Sequence, residues 1–195
     1  MNSKILGDLF IKHGSDKSDP HNYEETYAKI LPDNLNNLLE IGISNTDADH
    51  SSLHAWSEIY PDAKIWGADI VFEKLINKDN ISSYLLDQSS AESLDNFKLF
   101  LNNKFDVIID DGSHVFAHAK LTVEKLFDCL KEDGIYCIED IAKGPLWYCE
   151  QTVKQWTDYL DTRTDIRYDV YDSREDLGAE DDSVIITIRK IKNEL

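Results

Sequence analysis

Residues 105–114 read FDVIIDDGSH, and residues 134–140 read GIYCIED. Each is a short apolar run closed by acidic residues. Phe105–Asp110 has strand length and is followed at once by Asp111-Gly112, a turn signal, so it reads as a buried strand with carboxylates at its end. Gly134–Glu139 repeats the pattern. Between them Val123, Leu126, Phe127 and Leu130 recur at i, i+3, i+4 and i+7, which predicts an amphipathic helix over 115–131. Two apolar strands separated by a helix imply a parallel sheet covered on both faces.

The alternation extends outward. Upstream, Asn37–Gly42 (NLLEIG), Lys64–Asp69 (KIWGAD) and Ser83–Asp87 (SYLLD) read as strands, with helices over 52–60 and 90–101. Downstream, Cys149, Val153, Trp156 and Leu160 mark a helix. Ile166–Tyr171 and Ser183–Arg189 form strands joined by an acidic loop, hence a final antiparallel pair. The expectation is an α/β fold with seven strands, mostly parallel. Two short helices, 3–12 and 22–31, precede it. At 195 residues the chain suits a single domain, with 1–34 as a helical cap and 35–195 as the core.

Composition narrows the function. Hydrophobic residues are 42% and charged residues 30%, with few glycines and prolines, so the chain is globular. The formal net charge of −18 repels phosphate backbones and anionic lipid, which argues against nucleic-acid and membrane partners and favours cationic ligands. No apolar run is long enough to span a bilayer. The N-terminus lacks the apolar stretch of a secretory signal. Cys129, Cys137 and Cys149 have neither disulfide nor zinc-knuckle spacing and read as buried, reduced thiols of a cytoplasmic protein.

In sheets of this kind ligands sit outside the carboxyl ends of the strands. Those ends read Glu40-Ile41-Gly42, Asp69, Asp87-Gln88, Asp110-Asp111-Gly112-Ser113-His114 and Glu139-Asp140. One acid after a strand is usually a helix cap or turn former. Five along one rim suit a ribose, a metal or a cationic ligand. The next glycine after Gly42 is Gly67, so the dinucleotide fingerprint G-x-G-x-x-G is absent. Adjacent Asp110 and Asp111 also lack the acid–any–acid spacing of a magnesium phosphohydrolase.

This ordered set resembles the class I S-adenosylmethionine-dependent methyltransferases. More narrowly, it resembles the magnesium-dependent macrolide sugar O-methyltransferases of the macrocin and mycinamicin type, and their cephalosporin hydroxylase and rhamnosyl O-methyltransferase-like relatives. The resemblance rests on Val107–His114, Tyr136–Asp140, the segment His13-Gly14-Ser15-Asp16-Lys17 with His21-Asn22-Tyr23 and Tyr27, and Ser51-Ser52-Leu53 through Gly67-Ala68-Asp69-Ile70. It covers roughly residues 8–140. It departs after the first strand, where Ser44 and Asn45 stand in a loop, 43–50, that usually carries a second glycine.

The resemblance implies a Rossmann-like, doubly wound sheet, S-adenosyl-L-methionine as cofactor and Mg²⁺ as metal. Asp69 is then placed to read the ribose diol, and Asp87 and Gln88 the adenine. Glu40 either faces the amino-acid end of the cofactor or stabilises the loop after the strand, Gly42 belongs to the cofactor site, and Asp110, held closer to its strand, stays on the cofactor side. His21 and Tyr23 are expected at the cofactor mouth. Neighbouring strand ends would bring Asp111, Glu139 and Asp140 onto one hard cation. His114, three residues past Asp111, would act with Asp111 as the general base for a hydroxyl; His118 is the weaker candidate. Trp147 and Tyr148 either stack on a sugar face or pack under the next helix. The implied acceptor is a small, sugar-containing molecule. A large acceptor would use a shallow surface or a subunit boundary, which leaves room for a homo-oligomer. The alternative reading is a non-catalytic cofactor-binding or assembly protein of the same fold.

Overall fold

The computed structural model describes residues 1–43, 50–101, 104–144, 146–174 and 181–191. Ser44 and Asn45, where the glycine departure falls, lie outside the described residues. The elements run α1 (Ser3–His13), α2 (Tyr23–Ile30), β1 (Asn37–Ile41), α3 (Ser51–Ile59), β2 (Lys64–Asp69), β3 (Asn77–Lys78), β4 (Ile81–Leu85), α4 (Ala91–Leu101), β5 (Phe105–Asp110), α5 (Phe116–Leu126), β6 (Leu130–Ile138), α6 (Val153–Leu160), β7 (Ile166–Asp172) and β8 (Val184–Lys190). The sheet order is β3-β4-β2-β1-β5-β6-β8-β7. Strands β4, β2, β1, β5 and β6 are parallel, and β3, β8 and β7 pair antiparallel.

The sheet therefore has eight strands where seven were expected. The extra one, β3, is two exposed residues turned back on β4. Two exposed residues carry no apolar alternation, so no sequence pattern marks them. Other boundaries moved: β4 is Ile81–Leu85 rather than Ser83–Asp87, and α5 ends at Leu126 rather than 131. Strand β6 begins at Leu130 rather than Gly134. Helix α6 begins at Val153 rather than Cys149, because Thr152 and Gln155 form a reciprocal capping box that sets its first turn.

Alternate residues of each strand feed two cores. Leu39, Ile41, Ile108, Tyr136 and Ile138 pack on the face covered by α4, α5 and α6. Leu38, Ile65, Val107, Ile109 and Cys137 pack on the face covered by α1, α2 and α3. On that second face Trp56 is fully buried, edge-on to Phe10 at 5.0 Å and to Tyr27 at 5.3 Å. The N-terminal helices thus share a core with the strands.

Strand order explains where a ligand would bind. The chain winds from β1 out to β4, then crosses back to β5 on the other side of β1. That reversal opens a crevice at the strand ends. The register aligns them: Ile41 pairs with Ala68 and Asp110, and Asp110 with Ile138. Gly42, Asp69, Asp111 and Glu139 thus emerge along one rim. Gly14 ends α1 in the left-handed region at φ 77°. Its amide bonds to Ile11 O, and that of Ser15 to Phe10 O, which turns the chain back over the rim.

Candidate active site

A cavity of about 440 Å³ opens at this crevice, within the size range of small-molecule sites. Gly42, Asp69, Asp87, Gln88, Asp111, His114, His118 and Asp140 are among the residues lining it. Gly42 has φ +83°, and a Cβ there would lie 1.9 Å from Asp111 O, so only glycine lets the β1 and β5 exits touch. Asp69 braces the crevice wall by accepting from the amides of Ile43 (3.0 Å) and Val71 (2.8 Å). The carboxylate of Asp87 accepts from the Ser89 hydroxyl (2.6 Å) and amide (2.9 Å), which hold it below its usual range. Gln88 donates to Asp110 Oδ1 (2.5 Å) and accepts from the Ser113 amide (3.0 Å). The Tyr136 hydroxyl donates to the other oxygen of Asp110 at 2.9 Å. Burial pushes the Asp110 carboxyl up to about 6.

Four expected cofactor residues line this cavity: Gly42, Asp69, Asp87 and Gln88. Asp110, Glu40 and Tyr23 do not line it. Asp110 stands behind Gln88, its carboxylate engaged by Gln88 and Tyr136. Glu40 is fully buried, with Lys17 Nζ 3.1 Å from its Oε1. Burial raises its pKa, with Lys17 opposing. The glycine cradle that a Cβ would fill and the acidic lining suit a cationic, polar cofactor.

The acidic end of the cavity centres on His114. Its Nδ1 lies 3.3 Å from Asp140 Oδ2 and its Nε2 3.8 Å from Asp111 Oδ1. Ligand atoms of Asp111, His114 and Asp140 all fall within 4.8 Å of one another, a spacing that fits one divalent cation. His114 (φ 53°) and Asp140 (φ 56°) both adopt the left-handed backbone that non-glycine residues rarely take, a strain common at functional sites. The surroundings hold them there. The His114 carbonyl accepts from the amides of Glu150 (2.8 Å) and Gln151 (3.1 Å), and Gln151 Nε2 donates to Glu139 O and Asp140 O. Burial and then Asp111 push the Asp140 carboxyl up to about 6. Burial alone would lower the His114 pKa, but Asp140 and Asp111 outweigh it and raise it.

Glu139 sits one step back. Its carboxylate accepts from Lys17 Nζ (2.5 Å) and from the Tyr27 hydroxyl, and it is not in the compact group with His114. Burial raises its pKa well above the ordinary value. Lys17 is 1% exposed and reaches three carboxylates: Glu139, Asp111 Oδ2 at 2.7 Å and Glu40 Oε1 at 3.1 Å. Burial would depress the Lys17 pKa, but these carboxylates hold it well above its usual value. They in turn feel the lysine: against the pull of burial, Lys17 keeps Asp111 below the ordinary carboxylate range. Tyr23, 1% exposed, donates to Asp140 Oδ1 at 2.8 Å and stacks on His21.

Sequence reading missed Lys17, Tyr27, Tyr136 and Gln151 as parts of the site. Lys17, Tyr27 and Tyr136 lie within the stretches that carry the resemblance, which assigns them no role. The signal available was the rim itself, since so many buried acids need an internal cation. Trp147 is 93% exposed and edge-on to Tyr148, so it does not pack under α6.

No protein-family model matches the chain. The order and direction of the strands are those of a class I methyltransferase fold. Within that class the chain is similar in sequence to macrolide and tetracenomycin sugar O-methyltransferases. It is 30% identical over 142 residues to 8-demethyl-8-alpha-L-rhamnosyl tetracenomycin-C 2'-O-methyltransferase of Streptomyces olivaceus, an alignment spanning 70% of this chain and 37% of that protein. It is 34% identical over 107 residues to mycinamicin VI 2''-O-methyltransferase of Micromonospora griseorubida, spanning 53% and 27%. Its fold matches the MycE methyltransferase of the mycinamycin pathway, solved with Mg, SAH and mycinamycin VI, at TM-score 0.78 and 23% identity. That match covers 97% of this chain and 54% of the other. The chain thus aligns with about a third of the length of these curated relatives.

Proposed function

We propose that this protein is an S-adenosyl-L-methionine-dependent, Mg²⁺-assisted O-methyltransferase acting on a hydroxyl of a sugar or sugar-containing metabolite. The observation that carries it is the compact Asp111–His114–Asp140 group at the edge of a cavity lined by Gly42, Asp69, Asp87 and Gln88. Bound S-adenosylmethionine supplies the methyl group and a bound divalent cation supplies positive charge that eases loss of the hydroxyl proton. Asp69 would offer its carboxylate to the ribose and Asp87 and Gln88 would face the adenine, with Glu40 buried behind the amino-acid end. Asp111 and Asp140 hold the cation, with Glu139 behind them. His114 would take the proton that the acceptor hydroxyl loses during methyl transfer. Nδ1 faces Asp140 at 3.3 Å, which leaves Nε2 to take it.

The same reading gives the protein a small-molecule acceptor and no nucleic-acid partner, given the net charge of −18. It puts the protein in the cytoplasm, where the three free, buried thiols stay reduced. No helix among the described residues is long and apolar enough to cross a membrane. A homo-oligomer would supply a wall for a large acceptor.

Isothermal titration of S-adenosylhomocysteine with and without Mg²⁺, on the wild type and Asp111→Asn, tests the reading. The wild type is expected to bind both, and Asp111→Asn to keep the cofactor and lose the metal. No binding of S-adenosylhomocysteine would end the methyltransferase reading. Cofactor binding in a protein indifferent to Mg²⁺ would favour the non-catalytic alternative.

A further inference from the structure

The carboxylates around His114 each have an inner and an outer oxygen. Asp111 turns Oδ1 toward His114 and Oδ2 toward Lys17 Nζ, 2.7 Å away. Asp140 turns Oδ2 toward His114 and Oδ1 toward the Tyr23 hydroxyl. Both oxygens of Glu139 are taken, one by Lys17 and the other by Tyr27. The outer partners all come from the segment between Gly14 and the end of α2, folded over the rim. An ion entering from the cavity therefore meets Asp111 Oδ1 and Asp140 Oδ2 beside His114, while the far side of Asp111 already holds a positive charge.

We propose that Lys17 is a built-in counter-cation of this site: a positioning residue that stays bonded to Asp111 and Glu139 when the divalent ion binds, confines that ion to the His114 side, and holds its affinity down. This rests on the metal reading above. The electrostatic sense is fixed by the geometry. A like charge held at 2.7 Å from a ligand carboxylate opposes a second cation on that carboxylate, and buried charges are little screened. Loss of mere structural support would act in the opposite direction, loosening the ligands and weakening the metal.

The test is Mn²⁺ affinity by electron paramagnetic resonance and calorimetry on wild type, Lys17→Met and Lys17→Arg. Lys17→Met is expected to bind Mn²⁺ at least tenfold tighter and to gain more in melting temperature from saturating Mn²⁺ than the wild type does. Lys17→Arg keeps the charge and is expected within threefold of wild type. If the wild type binds Mn²⁺ and Lys17→Met binds it equally or more weakly, the proposal falls and the metal reading stands. If the wild type binds no Mn²⁺, the metal reading falls and takes this proposal with it.

A measurement without mutation covers the case in which Lys17→Met does not fold. In wild type labelled with ¹⁵Nζ-lysine, the buried ammonium is expected to give a slowly exchanging resonance. That resonance should shift on saturation with Mg²⁺ and remain protected. Loss of protection in Mg²⁺ would mean that the ion displaces the lysine, and no shift would mean that the two do not interact. Either result overturns the proposal.

Discussion

His114 is held by its backbone more than by its ring. Its left-handed φ, its carbonyl bonded to Glu150 and Gln151, and its ring between Asp140 and Asp111 together aim one imidazole at the cavity. If it is the base, His114→Ala should lower kcat by about 10²–10⁴-fold, with S-adenosylhomocysteine affinity nearly unchanged by calorimetry. Wild-type turnover in that variant would leave proton removal to the metal. Gly42 is constrained in another way. Its positive φ and the 1.9 Å approach of a notional Cβ to Asp111 O leave no room for a side chain. Gly42→Ala should cost about 1–3 kcal/mol from backbone strain alone, and more if the β5 exit must move. Urea melts should show that loss, and titration should show weaker cofactor binding, because the same shift displaces Asp111.

Among the elements, the start of β1 depends on an acid from another strand. Asp106 on β5 accepts from the amides of Asn36 (2.8 Å) and Asn37 (2.9 Å) and from Lys131 Nζ at 2.7 Å. Burial opposes the charge, but Lys131 and the two amides outweigh it and hold the Asp106 carboxyl below its ordinary value. An acid whose folded pKa is depressed stabilises the fold fully above its unfolded value, near 3.9. That contribution is lost as pH falls through the folded value. Asp106→Asn should therefore reduce stability by about 1 kcal/mol at pH 7, discounted for partial exposure. The difference from wild type should shrink as pH falls below the unfolded value and through the depressed folded one. An equal gap at pH 7 and at low pH, by chemical denaturation, would exclude the linkage. Element boundaries follow the same local chemistry: the Thr152–Gln155 capping box starts α6 four residues after Cys149, and leaves residues 149–151 to brace His114 and Asp140.

For the molecule as a whole, the two N-terminal helices and the sheet share one core. Phe10, at 0% exposure, packs edge-on to Trp56 at 5.0 Å in the same cluster as Leu38 and Val107. Phe10→Ala should destabilise the protein by about 3–5 kcal/mol and do so in one cooperative transition, seen alike by near-ultraviolet dichroism and by the far-ultraviolet signal of the sheet. Two separate transitions would show that 1–34 folds as an independent cap. The net charge of −18 acts at this scale too, raising the local concentration of cations at a rim that is already acidic.

The strands, the helix between β5 and β6, and the acidic rim were legible along the chain, because each is written in residues two to seven positions apart. FDVIID and GIYCIED carry their strand pattern and their terminal carboxylates together. The glycine at 42 was visible, but its reason, contact with Asp111, was not. What the chain alone left open was which oxygens face which partners. Lys17 lies 94 residues from Asp111 and 122 from Glu139, and lysine is the residue type least expected inside a protein. Asp110 likewise reads as one more rim acid until Gln88 and Tyr136 take both its oxygens. Such pairings depend on how the α1–α2 connection folds over the strand ends. Local pattern sets which way a side chain leaves its own strand or helix, whereas the partner it meets is set by the packing of elements far apart in sequence.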